Sequence, residues 1–424
     1  MTRDKISGQA DKRTGNWRLL IMLPLLFFTL AAGAQGRRDP GDIAANLVKR
    51  GYENVRAMVR NDTLFISAEN RVWRWEPSAV AAIFTAVMPE IDSGGAVSLT
   101  LLRTGIPVTT VTVSRKNYDA LLAGTLTPEA FTDSVSSVLS DRNYRSAMRP
   151  MRPANRPFGK VDVAIGPQLK LQFGEYDEPL QAQFNIVPTV SVAITRGLSF
   201  TGQVIFPVYN NLPDDPEGNA IRPGVVALSQ DFRLPYGIFT SLNAGLFTRD
   251  RYGLEGEAFK LFFNGRLSAG GSLGYTGQLR LIDGTFTYSS MDDFTWSFSA
   301  SWLFARQDLT LRAGYGRFID GDQGWRADVS RRFGEISIGF FAMQTDGLLN
   351  GGFNFIVPLP PRKYGTKNYI RLRPSSCVPW EYRAKGLPAY GRSFETGSGI
   401  PELLFDLNPD YIRNHLGKQI LTGK

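Results

Sequence analysis

The chain has 424 residues, 43% of them hydrophobic, 12% aromatic and 21% charged, with 43 glycines and a formal net charge of +9. This is too apolar for a disordered protein, and only one run approaches the length of a membrane-spanning helix, so a helical membrane protein is also excluded. The Lys and Arg residues are spread along the chain without dense aromatic interleaving, so nucleic acid is not an expected partner; lipid phosphate or an acidic polysaccharide suits the charge better.

The first feature is an export signal. Arg3, Lys5, Lys12, Arg13 and Arg18 accompany a short apolar run within Trp17–Gly36, which ends in the small residues Ala32-Gly33-Ala34. The pattern predicts a signal peptide over residues 1–34, cleaved after Ala34; the alternative is an uncleaved anchor, for which the apolar run is short. No cysteine follows that site for lipid attachment. The sole cysteine, Cys377, has no partner for an internal disulfide, which suits a bacterial cell envelope better than a disulfide-stapled secreted domain.

Residues 35–140 predict a small α/β module in the periplasm. Pro40, Gly41 and Asp42 open a helix with Ile43, Ala44, Leu47 and Val48 on one face, and a hairpin turning at Asn61-Asp62 follows. A second helix starts at Pro77 and is stopped by Pro89; a hairpin around Gly105-Ile106-Pro107 leads into a helix that Ser114 can cap. Thr127-Pro128-Glu129 begins one more. Residues 141–157, "DRNYRSAMRPMRPANRP", are basic and aperiodic and read as a linker.

From residue 158 to 360 apolar and polar residues alternate with period two, segment after segment. About twelve or thirteen strand candidates result, among them Val161–Phe173, Leu198–Val208, Arg266–Gln278, Leu279–Ser289, Phe294–Phe304 and Gly324–Phe333. In "FTWSFSASWLF" Trp296, Phe298 and Trp302 share one face, opposite Ser297, Ser299 and Ser301. The opposite faces of other strands carry Asp162, Lys170, Arg312, Arg326, Asp328, Arg332 and Glu335. Charges of both signs at alternating positions are costly in a dry core and ordinary in a barrel lumen.

The expected fold is therefore mainly β: an antiparallel transmembrane barrel of about twelve strands after the α/β module. Trp296, Phe298 and Trp302 would face lipid and the charged set would line the lumen. A soluble sandwich with the same alternation is the competing fold.

Residues 361–424 lack strand alternation and carry eleven Lys or Arg against five Asp or Glu, with Trp380, Tyr382 and Tyr390 interspersed. They read as a C-terminal periplasmic tail, in which "PELLFDLNPDYIRNHL" makes a docking helix.

No catalytic, cofactor-binding or metal-ligating set stands out. The sole histidine, His415, lies beyond every candidate strand, and the acid pairs Asp292-Asp293 and Asp320 with Asp322 sit in turn-like contexts, where Asp is favoured for backbone reasons. "DDPEG", Asp214–Gly218, is too loose for a calcium loop. The protein is not expected to be an enzyme, and no cofactor is expected.

Two stretches carry a resemblance. "GYENVRAMVRNDTLFISAENRVWRWEPSAVAAIFTAVMPE", continued by "LLRTGIPVTTVTVSRKNYDALLAG", and "GYGRFIDGDQGWRADVSRRFGEISIGFFAMQTDG" with "FIVPLP" are similar to the YjbH family of outer-membrane proteins linked to exopolysaccharide production. The similar positions include Glu69-Asn70, Gly105 to Val113, Gly321-Asp322, Ser330 to Phe333 and Thr345-Asp346.

Family members are often longer, with more than one barrel and an acidic Gly-rich segment that here is only "GLLNGGFN". The chain resembles a compact, one-barrel version, and the resemblance brings no catalytic residues. It implies an outer-membrane protein of polysaccharide export or assembly, with lipid, polysaccharide and polysaccharide-export proteins as partners. The alternatives are a general porin or structural barrel of another secretion system, and a glycan-acting outer-membrane enzyme.

Overall fold

The computed structural model describes residues 39–173, 180–212, 218–282, 284–366, 368–383, 390–397 and 399–423. The expected signal peptide and its cleavage site, and residues 214–217 of "DDPEG", lie outside them.

The chain enters through α1 (Pro40–Lys49), whose first turn is capped by the Asp39 carboxylate accepting from the Gly41 amide. Strands β1 (Glu53–Arg60) and β2 (Thr63–Glu69) form the expected hairpin. Asn61 and Asp62 both have left-handed backbones, φ 47° and 55°, as a two-residue hairpin turn requires. Helix α2 (Glu76–Val87) crosses to β3 (Ala96–Arg103), which pairs parallel with β2. β4 (Ile106–Ser114) returns antiparallel.

Ser114 Oγ then accepts from the Asn117 amide and starts α3 (Arg115–Leu122); Thr127 does the same for α4 (Pro128–Ser134). β5 (Ser136–Val138) completes a five-stranded sheet in sequence order. The basic stretch after it is not featureless: residues Tyr144–Met148 make one π-helical turn that buries Tyr144 and Met148 against Leu102.

The second sheet is a meander. Its strands are β6 (Val161–Phe173), β7 (Leu180–Thr195), β8 (Leu198–Asn210), β9 (Arg222–Leu234), β10 (Ile238–Phe247), β11 (Arg251–Phe262) and β12 (Leu267–Ile282). β13 (Thr285–Tyr288) is a spur on β12, and β14 (Asp293–Phe304), β15 (Leu309–Arg317), β16 (Gln323–Phe333), β17 (Ile336–Thr345) and β18 (Leu348–Pro358) continue the path. Each of these long strands pairs antiparallel with the next.

One expected strand dissolves here. Leu279–Ser289 does not cross the sheet; residues 279–282 prolong β12, Gly284 turns the chain at φ 78°, and residues 285–288 fold back on it. The alternation was real, but a glycine turn halves its reach.

The C-terminal region also departs from expectation. It contains β19 (Ile370–Pro374), parallel to β6, and β20 (Cys377–Arg383), antiparallel to β18. Val378, Trp380 and Tyr382 do alternate with Pro379, Glu381 and Arg383; Pro374 and Pro379 disguise the run, since proline is confined to strand edges and ends. β19 and β20 are the two ends of the sheet's hydrogen-bonded path, yet only Ser375 and Ser376 separate them in the chain.

Helices α5 (Ile400–Asp406) and α6 (Pro409–Thr422) close the chain. Ile400, Leu404, Ile412, Leu416 and Ile420 join Leu47, Val80, Phe84 and Val111 of the small sheet and Phe239 and Phe259 of the large one in a single buried cluster. The two sheets thus share a core, and residues from Asp39 onward form one compact unit.

Candidate functional site

The register of the meander sorts its side chains into two faces. Across β12, β14, β15 and β16 the row Leu273, Trp296, Arg317 and the row Gly271, Phe298, Tyr315, Trp325 lie side by side. On the face they share, large apolar groups stand in solvent on strand after strand: Ile186, Phe206, Leu228, Leu242, Leu254, Leu273, Phe298, Tyr315, Val329, Phe340 and Phe353. Phe298 is 59% exposed and Trp302 39%. A soluble monomer seldom exposes apolar surface on this scale.

The other face is polar and covered. Gln181, Gln183, Asn185, Ser229, Ser241, Asn243, Glu255, Thr276 and Ser299 are all buried on it. Arg312 reaches back to Ser299 Oγ at 3.3 Å, and Arg326 is held by Asp328 at 2.8 Å and by Glu381 of β20 at 2.8 Å. Bonds within the face, such as Asn243 to Glu255 at 2.7 Å and Asn185 to Gln168 at 2.9 Å, offset part of the cost of burying such groups.

What covers this face is the chain's own C-terminal segment. At the rim carrying the Thr248 and Ile319 loops, Asp322 Oδ2 accepts from the Gly391 amide at 2.6 Å, and Ile319 donates to the Arg392 carbonyl at 3.0 Å. Thr248 and Glu395 exchange two bonds, at 3.0 and 2.8 Å. Phe394 then stacks on Phe247, ring centres 5.1 Å apart, and leaves Gly274 no room for a Cβ.

Gly397 lies against Val225 and Thr201, and the Ile400 amide meets Glu257 at 3.1 Å. At the opposite rim Arg332 pairs with Asp406 and covers the rings of Phe405 and Tyr411, while Asn408 donates to the Gly265 carbonyl at 2.7 Å. Residues 390–397 and 399–408 therefore lie along the polar face from one rim to the other.

At the module-side rim a buried ion cluster joins the two sheets. Arg371 of β19 donates to Glu53 of β1 at 2.6 Å and to Asp162 of β6 at 2.8 Å. Lys160 adds a 2.8 Å bond to Glu53, and Arg71 pairs with Glu69 at 2.6 Å. Glu69 also caps the Thr104-Gly105 turn, accepting from both amides at 2.9 and 3.1 Å. Three carboxylates meet three cations, so the cluster is neutral as a whole; the opposed charges around Arg71 hold its guanidinium above its ordinary pKa against the burial that would lower it.

The charged set expected on one face is divided by the structure. Asp162, Arg312, Arg326, Asp328 and Arg332 lie on the polar face. Lys170 shares that register at the far end of β6, where it is exposed. Glu335 is corrected: it sits in the turn before β17, where it binds Arg74 and Arg362 of the junction, because a turn carboxylate is free to reach sideways. Of the apolar set, Phe298 and Trp302 are exposed and Trp296 packs beside Tyr315, ring centres 5.8 Å apart.

Sequence reasoning missed Arg371, Glu53 and the filling segment, whose partners lie from 69 to 318 positions away. The pairs Glu53-Asn54 and Glu69-Asn70 were visible as pattern only; Asn70 proves to cap the Val72 and Trp73 amides at 3.0 and 2.9 Å. His415 packs against Trp75 and Tyr411, with Nε2 3.0 Å from Asp308. The acid pair near Asp320 is engaged elsewhere, Asp322 by Gly391 and Asp320 with Arg251 at 3.8 Å. Among the described residues no group of three or more His, Cys, Asp or Glu could hold a metal ion.

A profile of the YjbH family, described as an exopolysaccharide biosynthesis protein, matches residues 28–354. No functionally curated protein matches the chain. Among solved structures, one that it is similar to is a loop L8 deletion mutant of OmpT, an outer membrane protein of Vibrio cholerae. The identity is 10% and the TM-score 0.26, over 46% of this chain and 86% of that one.

Proposed function

Because the chain belongs to the YjbH family of exopolysaccharide biosynthesis proteins, we propose that it is an outer-membrane β-barrel serving the export or assembly of a surface polysaccharide. The observation that carries this reading is the exposed apolar face, continuous over the twelve long strands and backed by a polar one. A bilayer makes such a face favourable. From Phe294 to Phe304 the face runs about 33 Å along the strand, or about 25 Å of height at a usual barrel tilt, close to a barrel's apolar band.

In this reading the ring is closed by residues 370–383. They pair with Val161–Ile165 of β6 through their first half and with β18 through their second, so one short segment of chain bridges the two ends of the path. The polar face is then the lumen, and the lumen is filled by residues 390–397 and 399–408.

That filling favours a sealed barrel anchored to a periplasmic module over a general porin, and the protein's part in glycan traffic becomes one of assembly and docking of export partners. The reading assigns it no catalytic step. Deleting the gene should abolish surface polysaccharide, and re-expression should restore it with the protein in the outer-membrane fraction. Restoration by a protein found only in the soluble periplasm would overturn the barrel; undiminished glycan in the deletion strain would overturn the polysaccharide role.

A further inference from the structure

At the module-side rim, Arg142, Arg145, Arg149, Arg152 and Arg156 are all exposed, within a stretch whose one acid is Asp141. Asp141 is engaged by Arg145 and lies 3.7 Å from Arg233. Among the described residues no carboxylate pairs with Arg142, Arg149, Arg152 or Arg156.

The stretch is nonetheless built into the fold. Tyr144 and Met148 are buried, the Met151 carbonyl accepts from Arg56 at 2.9 Å, and the Ala154 amide bonds the Val55 carbonyl at 2.8 Å. Folding has thus fixed the backbone that carries five exposed guanidinia, and supplies a single carboxylate, Asp141, among them.

Their position identifies the counter-charge. A cavity of about 560 Å³ opens where this stretch meets the turn between β9 and β10. Asp141 and Arg145 line one side; Leu234, Pro235 and Tyr236 line the other. Leu234 is 41% and Tyr236 88% exposed, and Phe232, one strand position pair further on, belongs to the apolar face. Arg145 beside Asp141 on one wall, exposed apolar groups on the other and the further exposed arginines of residues 142–156 alongside, at the edge of an apolar belt, match a molecule with an anionic head and acyl tails. A soluble anion would gain nothing from Leu234 and Tyr236.

We propose that this rim is a binding surface for anionic glycerophospholipid, with headgroup phosphates on the arginines of residues 142–156 and in the cleft beside Arg145, and acyl chains along Phe232 and Leu234. The proposal rests on the membrane reading above and adds a leaflet and a lipid class to it. Lipid held there would brace the module against the bilayer.

The test uses the full chain in nanodiscs of phosphatidylcholine with or without phosphatidylglycerol, and counts lipids retained on gentle release by native mass spectrometry. Wild type should retain phosphatidylglycerol in preference to phosphatidylcholine. Replacing Arg142, Arg145, Arg149 and Arg152 by Gln should lower that preference by up to about fivefold per arginine, and Tyr236→Ser should weaken it with the charges intact. An unaltered heat-modifiable gel shift checks that the variants fold.

Equal retention of the two lipids by wild type, or preference unchanged in the quadruple variant, would overturn the proposal. So would displacement of the lipid by millimolar inorganic phosphate, which would mark a simple anion site, or by an acidic oligosaccharide, which would mark a glycan site. Failure to enter nanodiscs at all would instead overturn the membrane reading itself.

Discussion

Arg371 and Glu53, 318 positions apart, meet at 2.6 Å with both side chains under 5% exposed. The bond ties the first strand of the small sheet to the segment that links the two ends of the large one. Removing one partner strands a buried charge, whereas the intact pair adds little over a well-packed apolar substitute. Arg371→Ala should therefore cost about 3–5 kcal/mol of stability, and Lys160→Ala, whose ammonium is more exposed, less than about 1 kcal/mol. Urea unfolding in detergent reads both; equal losses would show that the cluster is not centred on Arg371.

Phe298 and Ser299 are neighbours on opposite faces. Phe298→Arg should impair membrane insertion, costing about 2–4 kcal/mol near the midplane. Ser299 faces Arg312 at 3.3 Å, so the sign of a new charge matters there: Ser299→Asp gains a partner and is tolerated, while Ser299→Lys meets a like charge and is not. Recovery of the heat-modifiable form after refolding into vesicles distinguishes the three. Indifference to charge at Phe298 would return the soluble sandwich to consideration.

The Phe394–Phe247 stack and the Asp322–Gly391 bond hold residues 390–397 on the polar face. Wild type should be nearly silent in planar bilayers. Phe394→Ala combined with Asp322→Ala should give intermittent openings, and truncation after Arg383 a steady conductance. A steady open channel in wild type would show that the segment does not seal the barrel.

Glu76 opens α2 with its carboxylate enclosed by the module and 3.2 Å from Asn70 Nδ2. Burial pushes its pKa up to about 7, outweighing the Asn70 bond and the Arg103 charge, which pull the other way. The folded protein thus keeps a proton that the unfolded chain releases near pH 4.5, and Glu76's contribution to stability falls as pH rises from about 4.5 to about 7. Glu76→Gln should remove this slope and be more stable than wild type at pH 8 by about 3 kcal/mol or less. Denaturation midpoints of both proteins across pH 5–8 check the sign; a wild-type advantage that grows with pH would refute it.

The alternating faces were legible because strand periodicity is a local property. Trp296, Phe298 and Trp302 could be assigned to one side of a ribbon from eleven residues, and caps such as Ser114 or turns such as Asn61-Asp62 from two to four. Leu279–Ser289 failed because alternation does not say how far a strand runs before a glycine turns it.

Sequence by itself determined the period-two strands, the paired faces, the export signal as an expectation and the family resemblance, all of which depend on short-range order along the chain. Tertiary structure alone decided which strand neighbours which at the seam, that residues 390–397 and 399–408 cover the polar face, and that Glu53, Asp162 and Arg371 share one buried site. Those are contacts between distant segments, set by packing and by the need of each buried charge for an opposite one, and neither leaves a period to read.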